Sequence, residues 1–351
     1  MKVLIVKVSA LGDVIHALPV LALIKSADKQ IRIDWLVEES FADVLADHPL
    51  INTVHRINTK QWRRAGVLTS LRNGWRSIQL IRAESYDVVL DLQGNAKSGL
   101  FTWCSGAPLR FGFDRNALRE KISLVSTNRK VGLTDADFHI TDRSLAIAKA
   151  AFPNGHDLKT AGPLPVDSNA SQDVKSMLEE EGLSEGGKVV LHYGTTWTTK
   201  LWSLELWMQL AKTLKETYRL RPILTWGNDE EYAAVQAINE YCDGTCVVWP
   251  RRSLKHLIAL MSQVDLVIGG DTGPIHIAAA VGTRTVSIFR VTDASRNAPR
   301  GSRHIALQSG LDCAPCLKKS CELDAQCAQS ITADQVVEAV SQNLRAAGVM
   351  E

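Results

Sequence analysis

The chain lacks any long apolar run. None of its hydrophobic stretches reaches the ~18 residues that a membrane-crossing helix requires. It also lacks a charge bias: the formal net charge is only +2, which argues against a general nucleic-acid role. Short tandem repeats and low-complexity tracts are absent, so repeat architectures and disordered linkers are not expected. A GxGxxG dinucleotide fingerprint is missing too. The N-terminal stretch has the look of an export signal, but Lys7 and Asp13 interrupt it and Lys25 closes it. A buried first strand and helix fit it better, and a cytoplasmic protein is expected. The seven cysteines are odd in number, which speaks against a disulfide framework.

What is present is an ordinary globular composition, 45% hydrophobic, over 351 residues, a length that favours two domains. Apolar strand patterns alternate with helical ones. Val3 to Val6, Arg32 to Val37 and Val88 to Leu92 read as strands. Val14 to Ile24 and Leu68 to Glu84 read as helices, and Phe41 to Ala46 as a short one. A stretch rich in Pro and Gly, roughly Phe152 to Ser171, reads as the interdomain linker. The alternation then restarts, with strands at Val189 to His192, Pro222 to Trp226, Val247 to Val248, Leu266 to Ile268 and Thr285 to Phe289. Such alternation predicts α/β domains with parallel sheets, here 1–165 and 166–351, with a last helix at Ala333 to Ala347 that can fold back on the first domain.

Two signatures about 260 residues apart dominate the chain. The first is Val6-Lys7-Val8-Ser9-Ala10-Leu11-Gly12-Asp13-Val14-Ile15-His16-Ala17-Leu18-Pro19. The second is Val267-Ile268-Gly269-Gly270-Asp271-Thr272-Gly273-Pro274-Ile275-His276-Ile277-Ala278-Ala279-Ala280. Each reads as strand, small polar turn and helix, with glycine and a carboxylate in the turn. A helix start presents unpaired N–H groups and the positive end of its peptide dipoles, which suits a phosphate. Two such turns in two halves predict a site in a cleft, beyond the carboxyl ends of the strands.

These signatures, with Lys200-Leu201-Trp202 after Thr195-Thr196 and with Asp34-Trp35-Leu36-Val37-Glu38-Glu39, resemble the family 9 glycosyltransferases, the ADP-heptose:lipopolysaccharide heptosyltransferases. The resemblance spans nearly the whole chain. It implies a GT-B fold of two Rossmann-like domains and an inverting transfer of heptose from ADP-heptose to a Kdo sugar of the lipopolysaccharide inner core. The implied partners are ADP-heptose, a Kdo-lipid A acceptor and the inner face of the cytoplasmic membrane. Two alternatives remain: another acceptor, such as a second core heptose or a protein, and a nucleotide-sugar-binding protein without catalysis.

The resemblance places the catalytic base on Asp13, a position where a carboxylate also serves as a helix cap. Ser9 and Gly12 shape that turn, and His16 follows on the helix. Lys200 is set to balance charge on departing ADP. Thr195, Thr196, Thr272 and Gly273 are phosphate contacts, Asp271 a partner for heptose hydroxyls, and His276 a further phosphate candidate. Trp226 and either Glu230 or Glu231 are expected at the adenosine, and Asp293 in a loop that closes on the donor. Arg290 stands where the family usually has Gly. On the acceptor side, Lys60 to Arg82 holds six basic residues and no acidic one, with Trp62 and Trp75 among them. Lys60, Arg63, Arg64, Arg119, His139 and Arg143 are the acceptor candidates.

Two motifs stand apart. Asp135-Ala136-Asp137 matches DxD, which other transferases use to hold a cation on the diphosphate, but it lies away from the phosphate turns. No cofactor is expected for catalysis. Cys313, Cys316, Cys321 and Cys327 fall within fifteen residues and are candidates for a structural Zn or Fe site, with free thiols the alternative.

Overall fold

The computed structural model describes residues 1–118, 120–156, 164–184, 187–346 and 348. The chain forms two compact units, Met1–Pro165 and Val166–Glu351. The first holds β1 (Lys2–Val6), α1 (Leu11–His16), α2 (Pro19–Ala27), β2 (Arg32–Glu38), β3 (Thr53–Ile57), α3 (Thr59–Arg64), α4 (Val67–Ala83), β4 (Val88–Asp91), α5 (Ala96–Cys104), β5 (Leu109–Phe113), β6 (Arg129–Val131) and α6 (Ile140–Ala151). The second holds α7 (Ser168–Glu180), β7 (Val189–His192), α8 (Leu204–Glu216), β8 (Ile223–Thr225), α9 (Asp229–Tyr241), β9 (Val247–Val248), α10 (Leu254–Ser262), β10 (Leu266–Gly270), α11 (Gly273–Ala280), β11 (Arg284–Phe289), α12 (Ala294–Asn297), β12 (His304–Gln308), α13 (Asp324–Gln329) and α14 (Ala333–Ala346).

The two sheets repeat one topology. The first runs β3-β2-β1-β4-β5-β6 and the second β12-β11-β10-β7-β8-β9. Every pairing is parallel. In each sheet the strand order reverses once, between β1 and β4 and between β7 and β10. The crevice outside the carboxyl ends of such a pair is where doubly wound sheets bind ligands. Both signature turns lie there.

The central strands are legible because parallel strands covered on both faces must be apolar throughout. Val3, Leu4, Ile5 and Val6 of β1 and Leu266, Val267 and Ile268 of β10 are all completely buried. The strands missing from the sequence reading, β3, β5, β6 and β12, lie at or near sheet edges and carry polar residues such as His55, Arg110, Arg129 and His304. The helix expected over 14–24 is divided in two. Pro19 has no N–H to continue a hydrogen-bonded ladder but suits the first turn of a new helix, and it opens α2. The short helix expected over 41–46 is a 3-10 turn at Glu39–Val44. Part of the expected linker, residues 157–163, lies outside the described residues. α14 packs on α8 and β11 of the second unit, with Val336, Val340 and Leu344 completely buried.

Candidate functional site

In the second unit the loop after β7 meets the turn after β10. Gly269 and Gly270 end β10 and Gly273-Pro274 begin α11, so the chain passes directly from a buried strand into the first turn of a helix. Asp271 occupies the junction. The Lys200 Nζ donates to Asp271 Oδ2 at 2.7 Å and to its carbonyl at 3.2 Å. His276, one turn into α11, places Nε2 3.4 Å from Asp271 Oδ1. Burial works to raise the Asp271 carboxyl. The His276 hydrogen bond and the Lys200 charge outweigh it and hold Asp271 well below the usual carboxylate range. The carboxylate is therefore ionised at any working pH, and Lys200 is anchored by it.

The other donor-side candidates surround this pair. Thr195 and Thr196 lead into the Lys200 loop, and the buried Thr195 hydroxyl has no hydrogen-bond partner. Thr272 caps α11 without a side-chain bond of its own. Glu230 and Glu231 differ in burial. Glu230 is exposed, whereas Glu231 is buried and accepts bonds from the Gly227 N–H at 2.7 Å and the Asn228 side chain at 2.9 Å. A Cβ at Gly194, just beyond β7, would lie 2.1 Å from the Glu231 carboxylate, so a side chain there would displace that carboxylate. Trp226 donates to the Trp249 carbonyl at 3.0 Å and packs on Tyr232. Asp293 caps α12 by accepting from Ser295.

Arg290 is almost wholly buried. Its guanidinium donates to the Leu201 carbonyl, next to Lys200, and to both the carbonyl and the carboxylate of Asp324. The residue that departs from the family pattern is thus a staple between β11, the Lys200 loop and the start of α13.

In the first unit Asp13 stands at the third position of α1 and accepts from the Ala10 N–H at 3.1 Å. This bond caps the helix and fixes one carboxylate oxygen. Ser9 precedes it, and Gln93 after β4 accepts from the Val8 and Ser9 N–H groups at 3.0 and 3.1 Å, bracing the turn across the switch point. Gln93 itself hangs on Asp91, whose buried carboxylate accepts from the Gln93 and Gly94 N–H groups and from Ser98. His16 shares a 3.1 Å bond with Thr141 and lies edge-on to His139, which caps α6, so His139 joins the Asp13 helix. Arg143 donates to the Ala117 carbonyl and lies over Phe113 near the end of β5. Lys60, Arg63 and Arg64 are exposed on α3, beyond the end of β3. Beside α3, Glu38 accepts from Thr59 and from Lys97. Arg119 lies outside the described residues.

Two motifs remain. Asp137 of the DxD match caps its own turn by accepting from Thr134. Among the described residues no three His, Cys, Asp or Glu side chains are grouped so as to hold a metal ion. Cys313 is exposed on a turn, while Cys327 is buried on α13 with its thiol 3.8 Å from the Ser309 hydroxyl. Spacing made the four cysteines look like one ligand set, but the packing of α13 turns Cys327 inward. Sequence reasoning also passed over Gln93 and Lys97, whose contacts come from strand adjacency, and Trp197, whose ring lies under the Lys200 ammonium.

Comparison with known proteins agrees with this architecture. Residues 75–326 match Glycosyltransferase family 9 (heptosyltransferase). The chain is 33% identical over 324 residues to lipopolysaccharide heptosyltransferase 1 of Pseudomonas aeruginosa, covering 92% of this chain and 87% of that protein. The Escherichia coli K12 protein of the same name is 28% identical, covering 84% and 89%. The E. coli heptosyltransferase WaaC, solved with ADP-2-deoxy-2-fluoro heptose, superposes with a TM-score of 0.75 at 24% identity, covering 98% of this chain and all of that one. The structure of E. coli ADP-heptose lps heptosyltransferase II gives 0.77 at 17%, covering 99% and 100%. The fold is the expected GT-B type, with two parallel α/β units. The chain belongs to glycosyltransferase family 9, and it is a glycosyltransferase of the heptosyltransferase kind.

The buried histidines make a pH prediction. Burial lowers His192, at the end of β7, from 6.5 to about 4, and it lowers His48 and His304 likewise. The unfolded chain therefore takes up protons first as pH falls. The stability tied to these neutral imidazoles is intact above pH 6.5 and drains away between there and about 4, at up to about 1.4 kcal/mol per unit for each. His192→Gln should flatten the fall in urea-unfolding stability between pH 7 and 4.5. An unchanged slope would show that His192 is not held neutral.

Proposed function

We propose that the protein transfers heptose from ADP-heptose to a Kdo hydroxyl of a lipid A-linked acceptor, with inversion at the anomeric carbon. The observation that carries this reading is the Lys200 ammonium fixed 2.7 Å from Asp271 beside the start of α11, in a family 9 chain. The P. aeruginosa relative is named for lipopolysaccharide heptose transfer, and WaaC was solved with an ADP-heptose analogue.

In this mechanism the acceptor oxygen forms a bond to the anomeric carbon as the bond from that carbon to the β-phosphate oxygen breaks. The acceptor proton passes to Asp13 and the electron pair leaves with ADP. Asp13 suits the task because the Ala10 N–H holds one of its oxygens and leaves the other without a partner among the described residues. The Thr272 and Gly273 N–H groups and Lys200 meet the charge that grows on the diphosphate. The buried, unpartnered Thr195 hydroxyl gains a phosphate oxygen, removing the cost of about 1–3 kcal/mol that such a group carries. Glu231, rather than the exposed Glu230, takes the ribose hydroxyls. Asp271 orients Lys200 and accepts from the sugar.

The acceptor is an anionic glycolipid, and α4 suits its setting. Ile78 and Ile81 are buried, and the same stripe continues at helical spacing through Trp75, Leu71 and Val67, which are exposed. Leu68, at 84% exposure, borders it. Arg72 and Arg76 on α4, with Arg63 and Arg64 on α3, flank this apolar face. No helix among the described residues is long and apolar enough to cross a membrane. An apolar stripe bordered by arginines fits the surface of an anionic bilayer instead.

Two measurements test the reading. ADP release from ADP-heptose should require a Kdo2-lipid A acceptor and fall by about 100-fold or more in Asp13→Ala and Asp13→Asn, with ADP-heptose binding retained. Wild-type turnover in a folded Asp13→Asn protein removes the base. Replacing Leu68, Leu71 and Trp75 together by Ser should cut sedimentation with phosphatidylglycerol vesicles at least about ten-fold while leaving ADP binding intact. Unchanged sedimentation removes the bilayer role of α4.

A further inference from the structure

The cysteine-rich segment before α13 is tied both to the chain just after β11 and to the Lys200 loop. The Cys316 and Leu317 N–H groups donate to the Val291 carbonyl at 3.1 and 2.9 Å. The Thr199 hydroxyl, beside Lys200, donates to the Lys318 carbonyl at 2.8 Å. Arg290 closes the arrangement by binding Leu201 at one end and Asp324 at the other. These ties bring the next residue, Lys319, over the face of Trp197, its ammonium 4.9 Å from the ring centroid. Lys200 approaches the same ring at 5.1 Å.

The charges of these two lysines are not equally available. Lys200 is paired with an ionised Asp271, so the pair as a whole is neutral. Lys319 is exposed and has no carboxylate partner among the described residues. The shared ring keeps the two ammoniums no more than about 10 Å apart, about one Debye length at 0.1 M salt, where like charges still repel. A diphosphate brings more negative charge than a neutralised Lys200 and one helix start can balance.

We infer that Lys319, carried to Trp197 by the cysteine-rich segment, is a second cationic contact for the diphosphate of the donor. This rests on the reading of Lys200, Asp271 and the start of α11 as the donor-phosphate site. It gives the segment from Cys313 to Cys321 a task other than holding a metal: it is the arm that delivers the cation. Trp197 is the platform on which both lysines are set, and Arg290 is a positioning residue for loop and arm together.

The test is calorimetric binding of ADP, AMP and adenosine to the full chain, with no acceptor present. Lys319→Ala should weaken ADP binding about ten-fold, leave adenosine unchanged, and narrow the contrast between ADP and AMP. Lys319→Arg should recover most of the loss. With ADP-heptose and acceptor, Lys319→Ala should raise KM for the donor more than it lowers kcat. Equal ADP binding by wild type and Lys319→Ala overturns the assignment and leaves the donor site standing. Equal losses for adenosine and ADP also overturn it, because they mark a structural effect. A wild-type protein that binds no ADP overturns the donor site and Lys319 together.

Discussion

The second unit is organised around one ion pair, the Lys200 ammonium on the Asp271 carboxylate. Both partners are largely buried, with side chains 14% and 8% exposed, so each needs the other. Removing either one would leave an uncompensated buried charge, at a cost of about 3–5 kcal/mol. An anion site needs a cation that is present and immobile before the ligand arrives. Asp271 supplies the immobility and His276 fixes the second oxygen of Asp271. The pair also spans the switch point, because Lys200 comes from the loop after β7 and Asp271 from the end of β10. The site therefore exists only if those two strands are neighbours.

The first unit solves the same problem with weaker chemistry. There the turn after β1 is braced by Gln93 from the loop after β4, through two backbone N–H groups that meet one amide oxygen. Asp91 underlies that brace, and burial pushes its carboxyl above the ordinary range while bonds from Gly94, Ser98 and Gln93 oppose the rise. The outcome is a rigid turn with Asp13 at its end. Repeating one topology has thus produced two crevices with different contents: a lone carboxylate in one, and a paired lysine beside helical N–H groups in the other. The proposed mechanism assigns proton acceptance to the first and charge acceptance to the second.

Much of this was legible in the sequence where burial is extreme. β1, β4, β7 and β10 read clearly because strands covered on both faces can carry only apolar residues. These are also the strands that frame the two crevices, so the turns that carry the candidates Ser9, Gly12, Asp13, Lys200, Asp271, Thr272 and Gly273 were legible with them. The strands β3, β5, β6 and β12 were hidden by the polar residues that partial exposure permits. Gln93 and Lys97 were hidden for another reason. Each acts on a loop far away in sequence, and only strand order brings them together. Arg290 was visible as a departure from the family pattern, but nothing in sequence revealed that its guanidinium reaches Leu201 and Asp324. In the cysteine cluster close spacing suggested one ligand set, whereas burial differs along it, with Cys313 exposed and Cys327 buried on α13.

The central claim is that Lys200 and Asp271 act as one unit in holding the donor diphosphate. A double-mutant cycle on ADP affinity, using Lys200→Met, Asp271→Asn and the combined variant, tests it most directly. The account predicts that each single change weakens ADP binding and that the double variant loses far less than the sum, with a coupling of at least about 1 kcal/mol. Strictly additive losses would contradict it, because they would mean that the two residues serve the ligand independently and that the pair is incidental to the site.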